Sequence, residues 1–194
     1  TELNNSNLYP LKISYEQLHN LPDTRHGKTT LLRLYLPQLL PNINKILYLD
    51  GDIVINDKLS ELYNIDLENN YIAASKDTAP LYHPDRIRDL EISNTHWYFN
   101  AGITLMNLEA LRKIDLSKKI HDYAKRHFNQ ITSPDQDVLN YICQGHTIYI
   151  HPRYNMNYNV EKDVAISTWG KEQVKEAKQS PAIIHYIGPI KPWH

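Results

Sequence analysis

Apolar positions in this chain gather in short blocks, and the spacing within each block predicts an element. Residues 1–28 are polar and turn-rich, with one apolar stretch at 11–18. From Thr29 the segment TTLLRLYLPQLLP offers a threonine start and a broad apolar face, which predicts a helix over 29–41. KILYL, residues 45–49, is an unbroken apolar run that predicts a strand covered on both faces. YIAAS at 71–75 and AGITLMNL at 101–108 predict further strands, with a polar stretch between them. Residues 109–127 read as a broken helix. PDQDVLNYIC, 134–143, opens with proline and acid and is stopped by Gly145, as a helix would be. The last strands are predicted at 147–150 and 182–187. Strands alternating with helices predict an α/β domain with a mostly parallel sheet, where ligands gather beyond the carboxyl ends of the strands.

Composition narrows the function classes. The 194 residues suit one globular domain, and 41% hydrophobic with 22% charged residues permits a sizeable core. No apolar run approaches the roughly 18–20 residues that cross a bilayer, and the first ten residues lack the pattern of a secretion signal. A net charge of -1 argues against a nucleic-acid partner or a polybasic membrane anchor. Cys143 is the single cysteine, which excludes an intrachain disulfide and a cysteine-rich zinc site and favours a reducing compartment. No two of the six glycines stand close enough for a phosphate-cradling loop. A diphosphate would therefore have to be held by a metal and side chains.

Four segments carry candidate chemistry. In ILYLDGDIVI, 46–55, Asp50 and Asp52 flank a glycine. Residues two apart on an extended chain point the same way, roughly 6.5–7 Å apart, so two such carboxylates can share one divalent cation. Hard oxygen ligands suit Mg²⁺ or Mn²⁺. The plainer reading is an acidic turn, but two carboxylates at a buried strand end repel each other unless a cation is present. In IIHYIGPIKPWH, 183–194, His185 is either a satisfied core histidine or, with Gly188 and Lys191, part of a clamp for metal and diphosphate. In WYFNAGITLMNL, 97–108, Asn100 is a turn asparagine or an amide for a sugar hydroxyl. In PDQDVLN, 134–140, the acids complement a helix start, or Asp135 and Gln136 face the reacting carbon of a sugar.

Together and in this order, LRLYLPQLLP, ILYLDGDIVI, AASKD, FNAGITLMNL, DQDVLN and HYIGPIKPWH resemble glycosyltransferase family 8, over residues 32–194. That family includes bacterial lipopolysaccharide galactosyl- and glucosyltransferases and glycogenin. The resemblance implies an α/β, GT-A-type nucleotide-diphospho-sugar transferase fold with a mixed, mostly parallel central sheet, and residues 1–194 as a single catalytic domain. It implies Asp50, Asp52 and His185 as ligands of Mn²⁺ (or Mg²⁺), with Asp50 also near the donor ribose. Arg33, Asp77 and Asn100 would line the donor sugar, Gly188 and Lys191 the diphosphate, and Asp135 and Gln136 the catalytic position. The implied activity is retaining transfer of galactose or glucose from a UDP-sugar to a hydroxyl of a glycan, lipid-linked or protein-linked acceptor. It carries no nucleic-acid partner and a cytoplasmic location, with peripheral attachment to the inner face of the membrane through segments outside this sequence. The family's opening base-holding strand has no match before Leu32, residues 12–25 resemble a later piece of the usual amino-terminal half, and the chain halts at His194. These departures lead to the expectation that the amino-terminal part is missing. A non-catalytic nucleotide-sugar or metal-binding module is the alternative, and a metal-dependent phosphohydrolase is a third class that leaves the asparagine and DQD segments unexplained.

Overall fold

The computed structural model describes residues 7–14, 27–188 and 191–193. Much of the 11–18 stretch and of the 12–25 segment, together with Pro189, Ile190 and His194 of the last motif, lies outside the described residues. The strands are β1 (Lys45–Leu49), β2 (Ile53–Ile55), β3 (Ile72–Lys76), β4 (Phe99–Asn107), β5 (Thr147–Tyr149) and β6 (Ile183–His185).

A four-stranded sheet runs in the order β1-β4-β3-β5, and β2 pairs with β6 in a separate ribbon. The sheet is mixed, as expected, but among the described residues it is not mostly parallel. Strand β4 runs antiparallel to both β1 and β3, and only β5 lies parallel to β3. The reason lies in β4. Its first eight residues, FNAGITLM, are buried at a central place in the sheet, and it runs against both of its neighbours, so two of the three pairings are antiparallel. Strand β1 is the corresponding surprise. Every residue of KILYL is only half-buried, because β1 is an edge strand. An unbroken apolar run does not say which elements will cover it.

The two faces of the sheet feed two cores. Ile72, Ala74 and Met106 turn to a core that includes Leu31, Leu34 and Tyr123, whereas Ala73, Ile103 and Leu105 turn to one with Leu62 and Ile183. This is the period-two alternation of strands. The helix predicted at 29–41 is instead a 3-10 segment, Lys28–Tyr35, followed by one α-turn, Leu36–Leu39. Leu31 and Leu34 are its two buried residues, and their three-residue spacing matches the 3-10 repeat. The broken helix resolves into α1 (Leu108–Lys113) and α2 (Leu116–Arg126), capped by the side chains of Asn107 and Asp115. Next comes α3 (Pro134–Ile142), as predicted. Strand β2 and the pair α4 (Lys162–Trp169) and α5 (Lys171–Gln179) were not foreseen, and Gly170 at φ +86° separates the two helices.

The antiparallel course of β4 decides where chemistry collects. Its amino end lies beside the carboxyl ends of β1 and β3, with Leu49 opposite Ile103 and Lys76 opposite Phe99. The candidate residues therefore follow the carboxyl ends of β1 and β3, while β4 contributes through its first residues.

Candidate functional site

The backbone of 99–102 is the ruler of the site, because successive groups each hold a different side chain. Phe99 donates its N–H to Asn140 Oδ1 at 2.7 Å and accepts from Asn140 Nδ2 at 2.8 Å. Ala101 donates to Gln136 Oε1 at 3.0 Å and accepts from Arg33 Nη1 at 3.0 Å. Gly102 donates to Asn100 Oδ1 at 3.0 Å and accepts from the Asp50 N–H at 2.8 Å. Elements distant in sequence are thereby set in one register.

Asp50, Asp52 and His185 converge as predicted, each offering a ligand atom within 4.8 Å of the others. Each aspartate gives one oxygen to the protein and turns the other to the centre. Asp50 Oδ1 accepts from Arg33 Nη2 at 2.8 Å and from the Tyr48 hydroxyl at 3.0 Å, leaving Oδ2 at 3.8 Å from His185 Nε2. Asp52 Oδ2 accepts from Lys191 Nζ at 2.5 Å, leaving Oδ1 at 3.2 Å from His185 Nε2. Lys191 also donates to the Tyr186 carbonyl. Burial acts to raise the Asp52 carboxyl, but the Lys191 hydrogen bond and the charges of His185 and Lys191 outweigh it and hold it below the usual carboxylate range. Burial depresses His185, against the pull of both aspartates, which favours the neutral imidazole that ligates metals.

The donor set fits a divalent cation. Two carboxylate oxygens and one imidazole are donors that divalent cations accept. A Cβ on Gly102 would stand 2.3 Å from His185 Cε1 and 2.8 Å from Asp50 Oδ2, so the strand passes under the cluster at a distance only glycine allows.

Beside this centre lies a second polar group. Arg33 bridges the two, reaching Asp135 Oδ2 through Nε at 2.7 Å while its Nη2 holds Asp50. Asp77 Oδ2 accepts from Asn100 Nδ2 at 2.9 Å and from Gln136 Nε2 at 3.3 Å. Asp77, Asn100, Asn155, Lys76, Trp169 and Ile187 line a cavity of about 90 Å³. The predicted residues Arg33, Asp50, Asp52, Asp77, Asn100, Asp135, Gln136, His185 and Lys191 thus form one connected site. Gly188 stands apart from that network, exposed, with φ +104° three residues after β6.

Other members of the network lacked a clear signal in the sequence. Asp137 is fully buried and accepts from Arg86 Nη2 at 2.7 and 2.8 Å, from the Tyr98 hydroxyl at 2.6 Å, and from the N–H groups of Thr132 and Ser133. Tyr98 in turn accepts from Gln136 Nε2 at 3.2 Å, so this carboxylate steadies the catalytic candidate from behind. Burial and the Asp137 charge push the Tyr98 hydroxyl well above its usual range, so it stays protonated. The three-residue spacing of Asp137 and Asn140, on the inner side of α3, was the available clue. Asn155, within RYNMNY, had none.

Residues 4–194 match the model of glycosyl transferase family 8. The chain belongs to that family. It is 29% identical over 182 residues to general stress protein A of Bacillus subtilis (strain 168), covering 91% of this chain and 63% of that protein. It is 30% identical over 187 residues to lipopolysaccharide 1,2-glucosyltransferase of Escherichia coli (strain K12), covering 94% of this chain and 54% of that protein. The crystal structure of the galactosyltransferase LgtC in complex with donor and acceptor sugar analogs superposes with a TM-score of 0.77 at 28% identity, covering 94% of this chain and 67% of that one. The GT-A fold implied by the motifs is therefore the fold of this family 8 chain. It spans little more than half to about two thirds of the length of these relatives. No helix among the described residues is long and apolar enough to cross a membrane.

Proposed function

We propose that the protein containing this family 8 chain transfers a hexose, galactose or glucose, from a UDP-sugar to a hydroxyl of a glycan acceptor, with retention of anomeric configuration. The observation that carries this reading is the convergence of Asp50, Asp52 and His185 beside the hydrogen-bonded polar cluster of Asp77, Asn100 and Gln136. Relatives described as a lipopolysaccharide glucosyltransferase and a galactosyltransferase bound to sugar analogs support both the donor class and the acceptor class.

Asp50, Asp52 and His185 would hold the cation, and when bound it supplies positive charge against a departing diphosphate. Lys191 adds a second positive charge at the same edge. Asp77 and Asn100 would bind sugar hydroxyls, and Arg33 keeps Asp135 and Asp50 in fixed relation. In the transfer, the bond from the anomeric carbon to the diphosphate oxygen breaks and its electron pair leaves with the diphosphate. The acceptor oxygen forms the new bond on that same face, and its proton passes to the departing oxygen. Two observations favour this route over a covalent sugar on the protein. Asp135 is engaged by Arg33 at 2.7 Å, and the Gln136 amide is a poor nucleophile. The buried, free Cys143 accords with a cytoplasmic site of action.

The test uses purified protein with UDP-galactose or UDP-glucose and Mn²⁺, following UDP release and the anomer of the first hexose freed by slow hydrolysis. One donor should turn over only with metal, and the freed hexose should keep the donor's configuration. Mn²⁺ binding without turnover of either donor would leave only a binding module. A mass adduct on Asp135 would replace the same-face route with a two-step one.

A further inference from the structure

We infer that Asn155 is a positioning residue that selects the tautomer of His185 and so aims the lone pair of Nε2 at the metal site. The inference rests on the metal reading above but not on the identity of the sugar.

The argument follows hydrogens outward from the backbone. Amide orientations and histidine tautomers are ordinarily ambiguous, because nitrogen and oxygen look alike and each ring nitrogen can carry the proton. Here a peptide N–H removes the ambiguity, since it can only donate. Gly102 N–H points at Asn100 at 3.0 Å, so the atom it meets must be Oδ1. The other end of that amide is then Nδ2, and it meets the acceptor-only Asp77 carboxylate at 2.9 Å, in agreement. Asn100 Oδ1 has a second neighbour, Asn155, at 2.9 Å. Against an acceptor that neighbour must be Nδ2, which leaves Asn155 Oδ1 facing His185 Nδ1 at 2.9 Å. A carbonyl oxygen can only accept, so Nδ1 carries the hydrogen. In the neutral ring Nε2 then holds a lone pair, facing Asp50 and Asp52; the Asp52 Oδ1 acceptor at 3.2 Å pulls the hydrogen the other way, and the shorter Asn155 contact at 2.9 Å is what outweighs it.

Two features make this a built arrangement. Asn100, Asn155 and His185 are exposed by only 8, 4 and 4%, so these polar atoms are partnered mainly by one another. The backbone also clamps the pair. A 3-10 turn, Pro152–Tyr154, delivers Asn155 beside β6, where Met156 pairs with Ile184 and the His185 N–H donates to the Met156 carbonyl at 2.9 Å. Hydrogen bonding to the second ring nitrogen is a general device for fixing a metal-binding histidine, and removing such a partner costs about 10–100-fold in metal affinity.

The test has one measurement without variants and one with them. In metal-free protein labelled with ¹⁵N-histidine, at a pH where the ring is neutral, His185 (assigned by its absence in His185→Gln) should show a pyrrole-like Nδ1 and a pyridine-like Nε2. The reverse pattern overturns the inference outright. Mn²⁺ affinity is then measured by calorimetry for the wild type, Asn155→Leu and Asn155→Asp, with circular dichroism as a folding control. The leucine variant should lose roughly 10–100-fold in affinity and shift His185 toward the Nε2–H tautomer. The aspartate variant keeps an acceptor opposite Nδ1 but loses the donor to Asn100 Oδ1, so it should retain the wild-type tautomer and bind Mn²⁺ more tightly than the leucine variant, short of full recovery. A folded Asn155→Leu protein that binds Mn²⁺ as tightly as wild type sinks the proposal. Failure of the wild type itself to bind Mn²⁺ would instead sink the metal reading, and the tautomer spectrum would still judge Asn155.

Discussion

Asp52 shows how one carboxylate can serve two masters, since Lys191 takes Oδ2 while Oδ1 faces His185. Exchanging Asp52 for asparagine keeps the shape but removes the charge from both contacts. We expect Asp52→Asn to lower donor turnover by about 100-fold or more, with weaker Mn²⁺ binding. Turnover like the wild type, with metal still bound, would remove Asp52 from the site. Gly102 makes a steric demand at the same scale. In Gly102→Ala the new methyl collides with a ring carbon 2.3 Å away, and β4, hydrogen-bonded on both sides, cannot retreat. His185 must turn instead, so Mn²⁺ affinity should fall by roughly 10-fold or more, at a stability cost of about 1–3 kcal/mol. Calorimetric titration and a denaturant melt would read the two effects separately.

At the scale of elements, α3 is held to the sheet by polar contacts as much as by its apolar face. Asn140 straps it to Phe99, and the buried Asp137 ties it to Arg86, Tyr98 and the loop before it. Removing Arg86 leaves Asp137 as a buried charge without its cation. Arg86→Ala should therefore destabilise the fold by roughly 3 kcal/mol, the lower end for a broken buried pair, because the hydroxyl and two N–H groups remain. Urea unfolding of the variant checks this, and a loss below about 1 kcal/mol would show that those neutral donors suffice. Elements with a continuous apolar run or a clear break were the legible ones, with the 3-10 course of Lys28–Tyr35 the exception. Residues 45–49 are a strand as predicted, and 109–127 is two helices, broken as the sequence indicates. Short or weakly patterned elements escaped notice. Ile53–Ile55 is a strand only because β6 lies beside it, and α4 has little amphipathic pattern to betray it.

Over the whole molecule, the proposed metal joins parts of the chain far apart in sequence. Asp50 and Asp52 follow β1, while His185 ends β6, near the other end of the chain. A ligand that binds only the folded arrangement stabilises all of it. With Mn²⁺ at about 100 times its Kd the gain is about 2.7 kcal/mol, which for a chain of this size raises Tm by roughly 5–10 °C. Calorimetric melts with Mn²⁺ and with chelator should show this difference in the wild type and lose it in His185→Gln. An equal shift in both would place the ion elsewhere.

Local chemistry was legible without a structure wherever it depended on neighbours in sequence. Asp50 and Asp52 announce themselves by spacing at a strand end, and the motif order carried Asp77, Asn100, Asp135, Gln136, His185 and Lys191 into one proposed site. What required the tertiary structure was everything set by contact between distant segments. That includes the central, antiparallel place of β4, the half-exposed edge position of β1, and the partners Tyr98, Arg86, Asp137 and Asn155. The physical reason is the same in each case. A side chain's type and spacing are local properties, whereas strand direction, burial and hydrogen-bond partnership belong to pairs of segments brought together only by folding.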